Sequence, residues 1–230
     1  MTRTSGAAEL VAAAGSGELP AVVLSAEALV KSYPRGMWPL RRYQRVLRGV
    51  DLTLRAGEVV GLVGENGSGK STVLQILVGA LTADAGVVTR AGRVGYCPQQ
   101  PQVYARLTCD EHFDLFGRAC AMTAQDIVTS RDGLYAALGF SRYAGTRADQ
   151  LSGGTLAKLN LALALVADPE VLLLDEPYAG FDWDTYLKFW GLVADRRQRG
   201  RAVLIVSHFV VDENKFDRIV EVKDGIAVPR

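Results

Sequence analysis

The sequence predicts an α/β fold: a parallel-sheet core, a small antiparallel β region ahead of it, and a helical insertion within it. Three observations predict it. "VLLLD" (171–175) and "AVLIVS" (202–207) are unbroken apolar runs of the kind that form strands buried on both faces. "EVVGLVG" (58–64) is a short apolar strand that runs straight into a glycine-rich loop, after which "KSTVLQILVGAL" takes up helical spacing. From about 102 to 166 the pattern is helical, with segments near 108–122, 124–138 and 153–166. A length of 230 residues suits one such domain with one sizeable insertion.

The remaining elements follow in order. Residues 1–20, "MTRTSGAAELVAAAGSGELP", read as a disordered tail. Its apolar part, "LVAAA", lies between Glu9 and Glu18 and lacks the long apolar region of a signal peptide. "AVVLSAEALVKSY" and "RVLRGVDLTL" read as strands with partial alternation. Between them "PRGMWPLRRYQR" reads as a loop, with Arg35, Arg41, Arg42 and Arg45, Trp38 and no acid. A solvated loop is the plain reading of that stretch, and a contact with lipid headgroups or an acidic partner loop the other. "GVVTRAGRVGYCP" suggests a short two-stranded stretch ended by Pro98. "DTYLKFWGLVADRRQR" fits a crossover helix between the two buried strands, and "RIVEVKDGIAV" closes as a hairpin around Asp224–Gly225. The domain proper is expected to run from 21 to 230, with its helical part at about 102–166.

Composition narrows the class. Hydrophobic residues make up 49% and charged residues 22%, which gives a core within a soluble fold. A formal net charge of +1 offers no general reason to expect nucleic acid as a partner. Cys97, Cys109 and Cys120 form no CxxC pair and read as reduced thiols of a cytosolic protein. No apolar stretch approaches the roughly 18–20 residues of a transmembrane helix, so the chain is expected neither to span nor to enter a membrane.

Three stretches carry chemistry. "GENGSGKS" (Gly64 to Ser71) fits G-x-x-x-x-G-K-[ST], after a strand and opening a helix. Gly64, Gly67 and Gly69 let the backbone N–H groups of the loop, those of Asn66 and Ser68 among them, wrap phosphates. Lys70 then reaches the β- and γ-oxygens, the Ser71 hydroxyl binds Mg²⁺, and Thr72 follows on the helix. A plain glycine-rich turn would not need Lys and then Ser at those offsets, so the core is expected to be a P-loop NTPase. "VLLLDEP" sets Asp175 and Glu176 at the end of a buried strand, where α/β sheets place ligands. Asp175 would hold the metal, and Glu176 would orient and deprotonate an attacking water. "LSGGT" (151–155) opens a helix with Ser152, Gly153 and Gly154, a second arrangement suited to phosphate.

In their order and rough spacing, "GENGSGKST", "LSGGT", "VLLLDEP" and the "SH" of 207–208 resemble the ATP-binding cassette (ABC) ATPases. The resemblance runs from about Val22 to the last residue. It implies ATP and Mg²⁺ as ligands and assigns roles residue by residue. Tyr33 corresponds to the aromatic that stacks on adenine. Gln99, with Gln100 adjoining it, corresponds to the glutamine that contacts metal and water and links the core to the helical insertion. His208 matches the switch histidine at the γ-phosphate, and Asp182 the aspartate of the loop that crosses a dimer interface. Lys70, Gln99, Glu176 and His208 form the implied catalytic set, and Ser71, Gln99 and Asp175 the metal set. The resemblance also implies that Ser152, Gly153 and Gly154 face ATP held by a second cassette, a copy or a paralogue paired head to tail. Three residues depart from the family pattern: Thr155 stands where Gln is common, Tyr178 where a small hydroxyl residue is usual, and Trp183 where Pro is frequent.

The function so implied is that of the ATP-hydrolysing subunit of a transporter, at the cytoplasmic face of the cell membrane and paired with a separate transmembrane subunit. "LTCDEHFDLFGRACAMT" looks like a segment common in exporter-type cassettes, so export is favoured over import. The alternative is a soluble ABC-type ATPase acting on ribosomes or DNA. Ribosome-associated members carry two cassettes in one chain and chromosome-associated ones insert long coiled coils, and this sequence has neither.

Overall fold

The structure is a computed structural model and describes residues 19–36, 42–207 and 212–230. Most of the expected tail, part of the arginine-rich stretch (Trp38 and Arg41 included) and His208 therefore lie outside the described residues.

Among the described residues nine strands form two sheets. Strands β1 (Val22–Arg35), β2 (Arg42–Arg55) and β4 (Ala85–Arg90) make an antiparallel sheet in the order β2-β1-β4. Strands β3 (Val59–Val63), β5 (Val94–Cys97), β6 (Val171–Asp175), β7 (Ala202–Val206), β8 (Arg218–Lys223) and β9 (Ile226–Pro229) make the second, in the order β5-β6-β7-β3-β8-β9. All its neighbours are parallel except the β8–β9 hairpin. That hairpin turns at Asp224 (φ 50°) and Gly225 (φ 78°), two positive-φ residues in succession, as a two-residue turn between twisted strands requires.

The unbroken apolar runs have a direct cause. Every residue of β3, β6 and β7 is buried. Alternate residues supply two different layers. Leu172 and Leu174 of β6, with Val203 and Ile205 of β7, pack among the helices, together with Phe113, Leu138, Leu159 and Phe189. Val171, Leu173, Leu204 and Val206 point the other way, to Val73, Leu74 and Leu77 of helix α1 (Lys70–Val78) and to Leu24, Leu52 and Leu54 of the antiparallel sheet. A strand sandwiched in this way has no solvent face to mark with polar residues.

Two expectations are corrected. Residues 85–97 do not form one two-stranded unit. Strand β4 pairs with β1 (Leu24↔Arg90), and β5 pairs in parallel with β6 (Val94↔Val171). A turn near Gly92 separates strands of opposite allegiance, and local apolar spacing carries no information about which sheet each joins. The described ends of the expected loop at 34–45 are strand as well: Pro34 faces Tyr43 and Arg35 faces Arg42 across the β1–β2 ladder. Ladder hydrogen bonds come from the backbone, so an arginine-rich sequence can extend an exposed hairpin.

Helices α2 (Cys109–Ala119), α3 (Ala124–Leu138) and α4 (Gly153–Leu165) lie between β5 and β6, and α5 (Trp183–Gln198) crosses from β6 to β7. Their starts are chemically marked. Thr108 and Glu111 form a reciprocal capping box on α2, and Thr123, Ser152 and Asp182 cap α3, α4 and α5. The α2–α3 contact centres on Phe113, fully buried and edge-on to Tyr135 at 5.2 Å between ring centroids. Phe113→Ala should therefore lower unfolding stability by about 3–5 kcal/mol in chemical denaturation, the cost of emptying a buried aromatic site.

Candidate functional site

Strand β3 ends at Val63, and the six residues 64–69 carry the chain to the first turn of α1. The loop is fixed from behind. Gly64 has φ 147°, and a Cβ built there would lie 2.4 Å from the Val222 carbonyl oxygen and 2.9 Å from Ser68 Oγ. Gly69, the residue before α1, has φ 111°, and a Cβ there would meet Leu47 at 2.8 Å. No side chain caps α1, so its first N–H groups stay free for an external acceptor.

Lys70 enters the helix with only 6% of its surface exposed. Its ammonium donates to the carbonyls of Gly64 (2.6 Å) and Glu65 (2.8 Å), both neutral acceptors. Burial holds its pKa below the ordinary lysine value, against the opposing pull of the Glu176 and Asp175 carboxylates. Ser68 Oγ is buried and has no partner among the described residues. A buried cation, an orphaned hydroxyl and an uncapped helix start converge on one loop, and a phosphate group satisfies all three.

Opposite this loop the structure brings together residues far apart in sequence. One cavity of about 470 Å³ is lined by Val46, Asn66, Gly67, Gly69, Lys70, Ser71, Thr72, Gln99, Asp175 and Glu176. Gln99 lines it and Gln100 does not. The alignment follows from strand register. Leu62 of β3 faces Val206 of β7, and Val206 faces Asp175 of β6, so three strands end level with one another beside the loop. Glu176 turns out of the sheet with φ 49°, a left-handed conformation costing a non-glycine residue about 1–3 kcal/mol. Its N–H is held by the Val206 carbonyl at 3.0 Å, and the Ser207 hydroxyl donates to its Oε2 at 3.4 Å. One hydroxyl (Ser71) and one buried carboxylate (Asp175) form a sparse oxygen set of the kind Mg²⁺ uses when phosphate and water complete its shell. Tyr33 stands at the rim, with its hydroxyl 3.5 Å from Thr72 Oγ1.

The 151–155 stretch lies elsewhere. Ser152 caps α4, accepting the Thr155 N–H at 3.3 Å, with its Oγ 2.9 Å from Thr155 Oγ1. Thr155 is thus a partner of the capping serine, a role its departure from the family pattern did not suggest. Gly153 lines a smaller cavity of about 160 Å³ with Leu156, Ala157 and Pro177, to whose lining Gln99 and Glu176 also contribute, and neither Ser152 nor Gly154 lines the Lys70 cavity. Gly154 abuts Gly180, since a Cβ there would lie 3.2 Å from the Gly180 carbonyl. Asp182 caps α5 by accepting the Thr185 N–H at 2.8 Å. Tyr178 turns inward against Phe189 and Tyr186, whereas Trp183 is 72% exposed and stacks on Tyr186 at 5.5 Å.

Sequence reasoning missed Asn160. It is buried on α4, and its amide donates to the Pro98 carbonyl (2.8 Å) and towards Cys97 Sγ (3.2 Å), fixing the backbone just ahead of Gln99. The signal was present: one Asn interrupts the apolar run "LNLALAL". Cys97 itself is a buried thiol pushed up to about 12 by desolvation and then by Asp175, so it is inert.

Fold and site together define a P-loop phosphate-binding domain on a largely parallel sheet. The family model described as ABC transporter matches residues 47–179, and the chain belongs to that family. It is similar to the Nod factor export ATP-binding protein I of Burkholderia lata, at 34% identity over 193 residues, covering 78% of this chain and 64% of that protein. It also matches the human retinal-specific phospholipid-transporting ATPase ABCA4, at 34% identity over 81% of this chain and 8% of the relative. The chain thus spans less than two thirds of the relatives it matches. Among solved structures, an ATP-binding subunit of an ABC transporter superposes with TM-score 0.81 at 22% identity, covering 90% of this chain and 89% of that one. A dimeric ATP-binding cassette in a post-hydrolysis state, bound to ADP and Pi, gives 0.80 at 24%, covering 90% and 97%. The fold is that of these cassettes: a mixed α/β P-loop core with an antiparallel sheet and inserted helices.

The position of Tyr33 gives a test. Tyr33→Ala should weaken ATP binding by about 1–3 kcal/mol, the scale of base stacking, and Tyr33→Trp should retain it. Titration calorimetry on the two variants separates a stacking residue from an ordinary strand-end tyrosine.

Proposed function

We propose that this chain is the ATP-hydrolysing subunit of an exporter, and that it powers a separate membrane-spanning subunit through ATP-driven pairing of two cassettes. One observation carries the reading. Its two loops open into neighbouring cavities that share Gln99 and Glu176, and the cation Lys70, the Ser71 hydroxyl and Asp175 line only the first. The signature loop, Ser152 to Gly154, then has no nucleotide of its own to serve, and the ATP of a second cassette fits it.

In this reading Lys70 and the loop N–H groups bind the β- and γ-phosphates of ATP, and Tyr33 stacks on the base. Glu176 accepts a proton from the water that attacks the γ-phosphate, its carboxylate held towards the cavity by the turn at φ 49°. Gln99 orients that water, and the resemblance assigns the role of supporting the γ-phosphate to His208, which lies outside the described residues. Mg²⁺, bound through the Ser71 hydroxyl and through Asp175, with Gln99 beside it, would neutralise charge on the β- and γ-oxygens. Asp182 lies beside the signature loop, on the face offered to a second cassette.

The membrane partner is supported by a groove of about 580 Å³ beside edge strand β5. Tyr96, Pro98 and Gln102 line it on one side, and Phe116 and Cys120 of the α2 end on the other. It adjoins the segment that follows Gln99, so a helix seated there would feel the state of the nucleotide site. Among the described residues no helix is long and apolar enough to cross a membrane, and a peripheral location on the cytoplasmic face follows from the proposed partner. Export rests on the named Nod factor export relatives and on the "LT…E" segment, whose Thr108 and Glu111 form the α2 capping box.

Glu176→Gln should keep ATP binding and lower steady turnover by roughly 10²–10⁴-fold, the contribution of a general base. A phosphate-release assay reads this directly, and turnover within a few-fold of the parent would remove Glu176 from that role. The shared site has its own test by mixing. Lys70→Ala and Ser152→Arg each give homodimers in which both composite sites are broken, whereas a mixed dimer holds one intact site. Once the unmutated protein is shown to pair with itself, mixing the two variants should restore trapped ATP, up to one per mixed dimer. No recovery on mixing would mean that the signature loop does not act across a dimer.

A further inference from the structure

His112 is fully buried on the second turn of α2, outside the cavity just described. Its Nδ1 lies 2.7 Å from the Thr108 carbonyl, and its Nε2 accepts the backbone N–H of Tyr104 at 2.9 Å. Accepting at Nε2 requires the ring hydrogen on Nδ1, so the ring donates to Thr108 and receives from Tyr104. The two bonds are not equivalent. The Thr108 carbonyl also takes the His112 backbone N–H at 3.1 Å, so it keeps a partner without the ring. The Tyr104 N–H has the imidazole as its acceptor.

What the Tyr104 bond anchors is the chain that leaves Gln99. Residues 101–107 run from that glutamine to α2, and they are zipped to the residues that precede the signature loop. The Asp149 N–H donates to the Ala105 carbonyl (3.0 Å), the Ala148 N–H to the Leu107 carbonyl (2.9 Å), and the Cys109 N–H to the Thr146 carbonyl (3.1 Å). Leu151 and the α4 cap Ser152 follow at once. On the other side of Gln99, Asn160 of the same helix α4 holds the Pro98 carbonyl. Gln99 is therefore tethered on one flank to α4, which carries the signature loop, and on the other to α2, through a histidine side chain.

We propose that His112 is a positioning residue: by accepting the Tyr104 N–H it keeps the segment after Gln99 in register with Ser152–Gly154, so that a change at Gln99 is transmitted to the signature loop. The relay itself is a property of the single chain. Only its consequence for pairing rests on the shared-site reading above.

Two substitutions separate the ring nitrogens. His112→Gln places an amide oxygen where Nε2 stood and so retains an acceptor for Tyr104. His112→Asn retains a donor near Nδ1 and loses that acceptor. Amide hydrogen exchange on the nucleotide-free chain should show the Tyr104 amide and the 148–153 amides exchanging roughly tenfold faster in His112→Asn, the scale of one net hydrogen bond. His112→Gln should exchange there within about twofold of the parent, and the amides of 113–119 should match in all three proteins. In a Glu176→Gln background, His112→Asn should then weaken ATP-driven pairing while the unpaired chain keeps its ATP affinity, and His112→Gln should restore pairing. Parent-like protection of 148–153 in His112→Asn overturns the proposal, as does equal behaviour of Asn and Gln. If ATP drives no pairing even with His112 intact, the shared-site reading fails, and the exchange comparison still decides the relay.

Discussion

The buried ammonium of Lys70 is the constraint around which the rest of this molecule is arranged. An ammonium taken out of water is costly, and two carbonyls offset only part of that cost. The loop must therefore stay tight enough to present the carbonyls of Gly64 and Glu65. It stays tight because Gly64 lies against the Val222 carbonyl, where no side chain fits, so β8 serves as the wall of the phosphate loop as well as a neighbour of β3. The same cation accounts for the acids opposite. Asp175 and Glu176 raise the affinity of Lys70 for its proton against desolvation, and the common strand register of β3, β7 and β6 keeps them within reach. An incoming phosphate supplies the charge that the carbonyls do not.

How much of this was legible depends on whether the cause was local. The central strands could be read closely, "VLLLD" to the residue at 171–175 and "AVLIVS" one residue beyond the strand 202–206, because burial on both faces leaves an unbroken apolar run. Helices α3 and α4 were legible from their spacing near 124–138 and 153–166. The phosphate loop was legible because its chemistry is contiguous. The failures have a shared reason. Strands β4 and β5 differ in the partner each finds far away in sequence, and the extension of β1 and β2 through Arg35 and Arg42 rests on backbone pairing that side-chain pattern does not encode.

The site divides in the same way. Gln99, Asp175 and Glu176 could be named from their motifs, but their meeting with Lys70 in one cavity is a product of topology. Asn160 and His112 were not singled out as site residues, since each is one polar residue in an otherwise ordinary helix. Their importance lies in which backbone group each one meets. Thr155 is a milder case: against the family pattern it reads as a loss of reach, and in the structure its hydroxyl is engaged with Ser152.

Buried polar residues in a small helical insertion are expensive unless each makes its bonds, and the places where they occur indicate what the fold must hold still. Here they gather on the two flanks of one glutamine. Asn160 fixes the carbonyl of Pro98 ahead of it and His112 the N–H of Tyr104 behind it, and both side chains belong to the helices rather than to the sheet. The segment between is short and carries Pro98 and Pro101, so it has little freedom to absorb a displacement. A shift of Gln99 towards the Lys70 cavity must then stretch one tether or move the helices that hold both. Helix α4 is capped by Ser152, which makes the Ser152–Gly154 stretch the part of the insertion best placed to respond. The link between the Lys70 loop and the start of α4 is therefore centred on Gln99, which lines the cavities of both and is held on its two flanks by these side-chain tethers.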